Sequence, residues 1–165
     1  MTSAILSRPG DGETVLSPAG GPVTFKARAE NTRGMLTALE SVAARGEGPP
    51  LHVHLHEDEL VYVVEGCLLF ELGDALHEMP APSFVFVPRG VAHTWQSVGE
   101  GATRFLFAFT PGAPGMERFF ERSAELPDDI RGREAFPRFA RDAGMEVLGP
   151  PLALTTSAIA TAGDL

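Results

Sequence analysis

Three histidines at strict alternation, His52, His54 and His56, with Glu59 close behind, are the residues of this chain whose types and spacing point most directly to chemistry. In an extended strand, alternate side chains leave the same face, so the imidazoles project together. Imidazole nitrogens and a carboxylate converging from neighbouring strands are what a borderline divalent metal needs. A second segment, Pro88-Arg89-Gly90-Val91-Ala92-His93, supplies a further histidine, with Trp95 and Ser97 alternating after it. The chain has 5 His, and all but His77 fall inside these two segments. A lone histidine on a strand is usually a surface or hydrogen-bonded residue. A triplet beside a glutamate, with a downstream P-x-G-x-x-H, is a far more specific signal. These residues read as a metal site in the bore of a small β-barrel.

Such a site has to be positioned by strands, and the sequence supplies them. Strand signals repeat at short intervals in the pattern of a sandwich or barrel: Leu51–His56, Leu60–Val64, Cys67–Leu72, Leu76–Met79, Phe84–Pro88, Thr94–Val98 and Arg104–Phe109. Gly73-Asp74 separates two of them as a tight hairpin turn does. Upstream, Thr14–Leu16, Val23–Ala29 and Met35–Ala44 have strand length, the last also having a composition that suits a helix. Phe105, Phe107 and Phe109 alternate with Leu106 and Ala108, leaving no polar face. That strand is expected to be buried on both sides, or to lie against the carboxy-terminal segment or a partner subunit.

After Thr110-Pro111-Gly112 the period changes. Met116, Phe119, Phe120 and Leu126 fall at helical spacing, and Phe136, Phe139 and Ala143 suggest a second short helix ended by Gly144. Both read as amphipathic helices whose aromatic residues are packing surface. Met145–Leu148 reads as a last extended piece, and Gly149-Pro150-Pro151 opens a Thr/Ala/Ser-rich tail. The expected organisation is an irregular arm over 1–13, a barrel over 14–112, a helical segment over 113–149 and a tail over 150–165, with no second domain.

Composition agrees with one soluble all-β domain. The chain has 165 residues, 44% hydrophobic and 21% charged, with 18 Gly and 14 Pro, more punctuation than a helical bundle carries. A net charge of −9 argues against binding a phosphate backbone, so no nucleic-acid partner is expected. Cys67 is the only cysteine, which excludes an internal disulfide, and it reads as a small buried hydrophobe. Residues 1–13 lack a signal-peptide pattern, and no apolar run approaches the ~20 residues of a membrane span. The expectation is a cytoplasmic protein, of bacterial type by its arginine-rich basic complement.

The first segment resembles the first cupin motif, G-x5-H-x-H-x(3,4)-E-x6-G, which falls on Gly46, His52, His54, Glu59 and Gly66 with every spacing kept. The second resembles the second cupin motif, G-x5-P-x-G-x2-H-x3-N, through Pro88, Gly90 and His93. Pro82 stands where its leading Gly would be and Ser97 where its Asn would be, and neither position is a ligand in the family. The resemblance implies an all-β jelly-roll barrel with one or two C-terminal helices packed outside. It implies one divalent transition metal (Fe, Mn, Ni, Co, Cu or Zn) held by His52, His54, Glu59 and His93. It also resembles small quercetinase-like cupins, which implies a dioxygenase or other oxidoreductase acting on an aromatic or enolic, flavonol- or polyketide-like substrate, with Glu59 staying a ligand or detaching as base. A non-redox isomerase or cyclase, and a non-catalytic ligand-binding barrel, are the alternatives. Cupins of this size are often homodimers, and the Phe105–Phe109 strand gives a physical reason for one.

Around those ligands, His56 is expected at the rim. Trp95 shares the parity of His93 and points into the same cavity, as core or as a substrate-stacking ring. Met35, Leu39, Phe84 and Phe86 are candidate bore residues, parity alone leaving the two phenylalanines unresolved. Tyr62 should point away from the metal, and Glu57 and Asp58 should be solvated. Few charges other than the ligands occur in the barrel strands, so the expected ligand is a small apolar or aromatic molecule.

Overall fold

Alternation of β-branched and aromatic residues with polar ones drives most of the chain into strands that bury one face. In a computed structural model, which describes residues 4–123 and 135–153, these strands form two sheets. The six-stranded sheet has the order β1-β2-β3-β10-β5-β8. Its strands are β1 (Thr14–Leu16), β2 (Pro22–Ala27), β3 (Thr37–Ala43), β5 (Asp58–Glu65), β8 (Ser83–Val87) and β10 (Thr103–Thr110). The five-stranded sheet has the order β11-β4-β9-β6-β7. It is built from β4 (Pro50–His54), β6 (Cys67–Leu72), β7 (Ala75–Pro80), β9 (His93–Ser97) and β11 (Met145–Pro151). The strand pairings within both sheets are antiparallel. The sheets face each other as a jelly-roll barrel, and Val61, Val63, Leu39, Leu68, Phe70, Phe105 and Phe109 fill the space between them.

The turns follow local chemistry. Gly73-Asp74 makes the two-residue β6–β7 hairpin, with Leu72 paired to Ala75 and Gly73 at φ 61. Gly66, at the β5–β6 corner, has φ 85, and a Cβ there would sit 2.7 Å from Thr103 Oγ1. Only glycine fits both demands.

The sandwich is closed unequally. On one side β7 and β8 follow each other directly and join the sheets. On the other, the edge strands β1 and β11 are bridged by two helices, α1 (Pro114–Ser123) and α2 (Ala135–Asp142). Helix α1 packs against β1, and α2 packs against α1 and β11. Strand β11 pairs with β4, so the chain returns to the barrel after its helices. Pro114 opens α1, where its missing N–H costs nothing. Glu117 then fastens the helix to the barrel. Its Oε1 accepts from Ala29 N–H (2.7 Å) and Thr37 Oγ1 (2.6 Å), and Thr37 Oγ1 accepts in turn from Ala113 N–H (2.9 Å).

The helical pattern extended to Leu126 and the tail beyond 153 lie outside the described residues. Among the described residues no helix is long and apolar enough to cross a membrane. Within the chain, strand β10 buries one face only: its phenylalanines point inward, and Leu106 is 42% exposed on the outer face. Cys67 is half-buried rather than enclosed, a free thiol raised by burial.

Candidate metal centre

The register of β4 and β9 sets the centre. His52 is paired directly with His93, and His54 lies on the same face of β4, two residues on. Glu59 comes from β5 in the opposite sheet. All four side chains are buried, and one ligand atom from each lies within 4.8 Å of the others. The imidazole centroids are 4.4 Å (His52–His93), 5.0 Å (His52–His54) and 5.6 Å (His54–His93) apart.

The backbone selects the tautomers. His52 Nδ1 lies 2.8 Å from the Pro50 carbonyl and His93 Nδ1 lies 3.0 Å from the Val91 carbonyl. A carbonyl only accepts, so both Nδ1 atoms carry hydrogen and both Nε2 atoms are left for a ligand role. The surrounding loops are tied down as well. Thr94 Oγ1 donates to Pro49 O (2.7 Å) and Gln96 Nε2 to Gly46 O (2.8 Å), fixing the entry into β4. Gly48 passes so close to β9 that a Cβ would meet the Trp95 carbonyl at 2.0 Å. On the other flank Gly90 N–H donates to His54 O (2.8 Å), and Arg89 grips Asp58 through Nε (3.0 Å) and Nη2 (3.1 Å). That grip brings the Asp58 carboxyl down to about 2.

Electrostatics within the cluster are strongly coupled. Burial, then the neighbouring His93 and His54, push His52 down to about 3, so it is neutral. Burial also opposes the charges of His93 and Glu59, but their mutual hydrogen bond, 2.8 Å from Nε2 to Oε2, outweighs it. His93 is raised above its ordinary value and Glu59, which also faces His54 Nε2 at 3.6 Å, is held below the usual carboxylate range. The metal-free cluster therefore keeps a proton between His93 and Glu59. Three neutralisable nitrogens and one carboxylate oxygen in this arrangement fit a divalent transition metal.

A cavity of about 60 Å³ lies beside the cluster. Its lining is rich in aromatic rings: Trp95, Phe105, Phe107 and Phe109 from the barrel, and Phe119, Phe120 and Phe136 from the helices. Trp95 lines the cavity and packs edge-on against Phe105 at 4.9 Å. The other expected bore residues lie elsewhere. Phe84 (57% exposed) and Phe86 (49%) point outward, because β8 pairs Phe84 with Tyr62 and Phe86 with Leu60, leaving Val85 and Val87 inside. Tyr62 points away from the metal, as expected. Met35 is 65% exposed because β3 begins only at Thr37 and Met35 belongs to the preceding turn. Leu39 is fully buried between Phe25 and Phe107 in the core and does not line the cavity. His56 is exposed over Gly144, outside the cavity. Glu57 is buried at 7% exposure, not solvated. Its Oε2 has no hydrogen-bond partner among the described residues, and burial raises its carboxyl. The phenylalanines of α1 and α2 were read from sequence as packing surface only. Their spacing with Met116 was the available signal.

Comparison with known proteins bears on this geometry. The Cupin domain family matches residues 38–109, a span holding all four ligand candidates. The barrel strands within this span form a cupin domain. The chain is 28% identical over 139 residues to "Polyketide synthase CurC" of Streptomyces cyaneus, covering 83% of this chain and 82% of that one. It is 30% identical over 86 residues to "Tetracenomycin polyketide synthase protein TcmJ" of Streptomyces glaucescens, spanning 52% of this chain and 56% of TcmJ. Its fold is like that of the polyketide cyclase RemF from Streptomyces resistomycificus. That match has a TM-score of 0.58 and 19% identity, over 68% of this chain and 82% of RemF.

Proposed function

We propose that this protein is a metal-dependent enzyme of aromatic polyketide maturation, closing rings in an enolisable polyketone without a redox step. The observation that carries the reading is the buried three-histidine, one-glutamate cluster at the floor of an aromatic-lined cavity. The names of CurC and TcmJ support a polyketide substrate, and ring closure, the chemistry that RemF's description names, is the non-redox alternative to the oxygenase that the motif pattern suggested.

His52, His54, Glu59 and His93 would hold the metal, which when bound supplies Lewis acidity toward a ligand carbonyl oxygen. The protein's own groups do the rest. Trp95 and the phenylalanines hold planar carbon against their faces and exclude water. The Glu59 carboxylate oxygen left outside the donor set would take a proton from the methylene between two carbonyls. The enolate carbon then bonds to a second carbonyl carbon of the same chain, and that oxygen takes up the proton. Loss of one water aromatises the ring, so no oxidant or reductant is consumed.

The test is incubation of the metal-loaded protein with an aryl tetraketone whose four carbonyls alternate with methylenes, so that attack of a methylene on the farthest carbonyl closes a six-membered ring, with and without oxygen. The expected product is lighter by one water, forms equally well anaerobically, and is absent with His52→Ala. Oxygen uptake matched to product would replace this reading with the dioxygenase. Stoichiometric metal with no turnover in either atmosphere would leave a binding barrel.

A further inference from the structure

The cavity beside the cluster is too small for the ligand its lining suits. A dry protein cavity that takes up benzene measures about 150 Å³, against about 60 Å³ here. No aromatic ring enters unless part of the wall gives way. The barrel wall is the stiffer part, because Phe105, Phe107 and Phe109 stand on β10, hydrogen-bonded to β3 on one side and β5 on the other.

The opposite wall is built differently. Phe120 of α1 meets Phe107 edge-on at 5.8 Å and Phe119 at 5.5 Å, and Phe119 meets Phe136 of α2 at 5.7 Å. This run of ring contacts spans the open side of the sandwich from β10 to α2. Helix α1 is fastened by the buried Glu117 and by Arg28, which reaches Glu121 at 2.6 Å. Against α1, helix α2 is held by rings and by Arg122 over Phe139 at 5.0 Å.

We infer that Phe120 and Phe136 are the specificity-determining residues of this site. They occupy the place that the ring farthest from the metal cluster takes, and so set how many fused rings the bore accepts. The inference rests on the aromatic-ligand reading above and deepens it.

Trp95, the only tryptophan in the chain, lines the same cavity and reports on it directly. The experiment titrates the metal-loaded protein with catechol, its two-ring naphthalene homologue and three-ring alizarin, following Trp95 emission. The probes share a vicinal diol and differ in ring count. Wild type, Phe120→Ala and Phe136→Ala are compared with Phe139→Ala, which loosens the same helix pair without bordering the cavity. The expected result is a shift of the alizarin-to-catechol affinity ratio by about tenfold or more in Phe120→Ala. A smaller shift in the same direction is expected for Phe136→Ala, and none for Phe139→Ala. Should Phe120→Ala fail to fold, Phe120→Leu and Phe136→Ala carry the comparison. Metal-dependent quenching with an unchanged ratio in every variant overturns the assignment and leaves the aromatic-ligand reading standing. A metal-loaded wild type and variants that none of the three probes quenches overturn both.

Discussion

The two sheets present opposite chemistry to the bore they share. The five-stranded sheet contributes the nitrogens, His52 and His54 from β4 and His93 from β9, each on a strand already tied to its neighbours. The six-stranded sheet contributes carbon, Phe105, Phe107 and Phe109 from β10, with the Ser41 hydroxyl and one charged group, Glu59. Two of the nitrogen donors are oriented by backbone carbonyls within three residues of themselves, Pro50 and Val91. The carboxylate has to be delivered from across the barrel. The donor set is therefore complete only when both sheets are docked, and a bound metal ties one to the other. One sheet holds most of the chemistry and the other most of the apolar contact.

The most severe way to break this contrast is to remove carbon from the apolar sheet. Phe105 is 1% exposed and packs on Trp95 and Phe107. Phe105→Ala is expected to cost about 3–5 kcal/mol in denaturant unfolding, with metal stoichiometry retained in the folded protein. A folded variant that loses its metal would show that the phenylalanines also shape the donor set.

A bound metal should stabilise the fold by linking the sheets. At a free concentration about 100 times Kd the gain is about 2.7 kcal/mol, and a Tm rise of roughly 5–10 °C follows for a chain of this size. His52→Ala and Glu59→Ala should both abolish the rise in thermal melts with added metal. If Glu59→Ala keeps it, the metal rests on the five-stranded sheet alone and the cross-link is wrong.

The same contrast explains what could be read without a structure. The ligand quartet was legible because alternation within one strand and a fixed step to Glu59 are local patterns, and the structure brings all four together. The strands were legible for the same reason, usually to within two residues. Facing was not. Phe84 and Phe86 follow a strand pattern as well as Val85 and Val87 do, and only the pairing of Val87 with Glu59 puts the valines inside. Met35 failed through a strand start two residues later than its composition suggested. Phe119, Phe120 and Phe136 failed differently. Helical spacing shows that a helix buries a face, but not that the face closes a cavity over residues more than 50 positions away. Glu57 looked solvated because it neighbours a ligand in sequence, yet it is buried.

Protons sharpen the picture within the nitrogen sheet. His52, pushed down to about 3, is already neutral near neutral pH and releases nothing when a metal binds. His93 is raised by Glu59, so below its folded value it is protonated and must lose that proton to become a ligand. The sign follows: apparent metal affinity should fall as pH drops through the raised His93 value, by about tenfold per pH unit for its one proton, or about 1.4 kcal/mol. Calorimetric titration in buffers of different ionisation enthalpy counts the protons. No proton released on binding, at a pH where the metal-free His93 is charged, would mean that His93 is not a ligand.

The smallest expected stability effect lies on the outer face of the apolar sheet. There the strand register lines up Leu106, Tyr62 and Phe84 in one row and Ala108, Leu60 and Phe86 in the next. Leu106, Tyr62, Phe84 and Phe86 are all exposed, an apolar patch larger than scattered surface residues make. Its border carries both signs, Lys26 and Arg104 on Glu40 and Arg104 near Glu65, so two copies related by a two-fold axis can bring opposite charges together. A homodimer through this face is the arrangement we expect, with aligned sheet-on-sheet packing. Phe84→Asp should then change the unfolding free energy of the protomer by only about 0.5 kcal/mol while converting a dimer to a monomer in sedimentation velocity. A wild-type protein that is monomeric, or a Phe84→Asp variant that stays dimeric, removes this face from the assembly. The outer rows would then be surface that the inner phenylalanines stabilise without any partner's help.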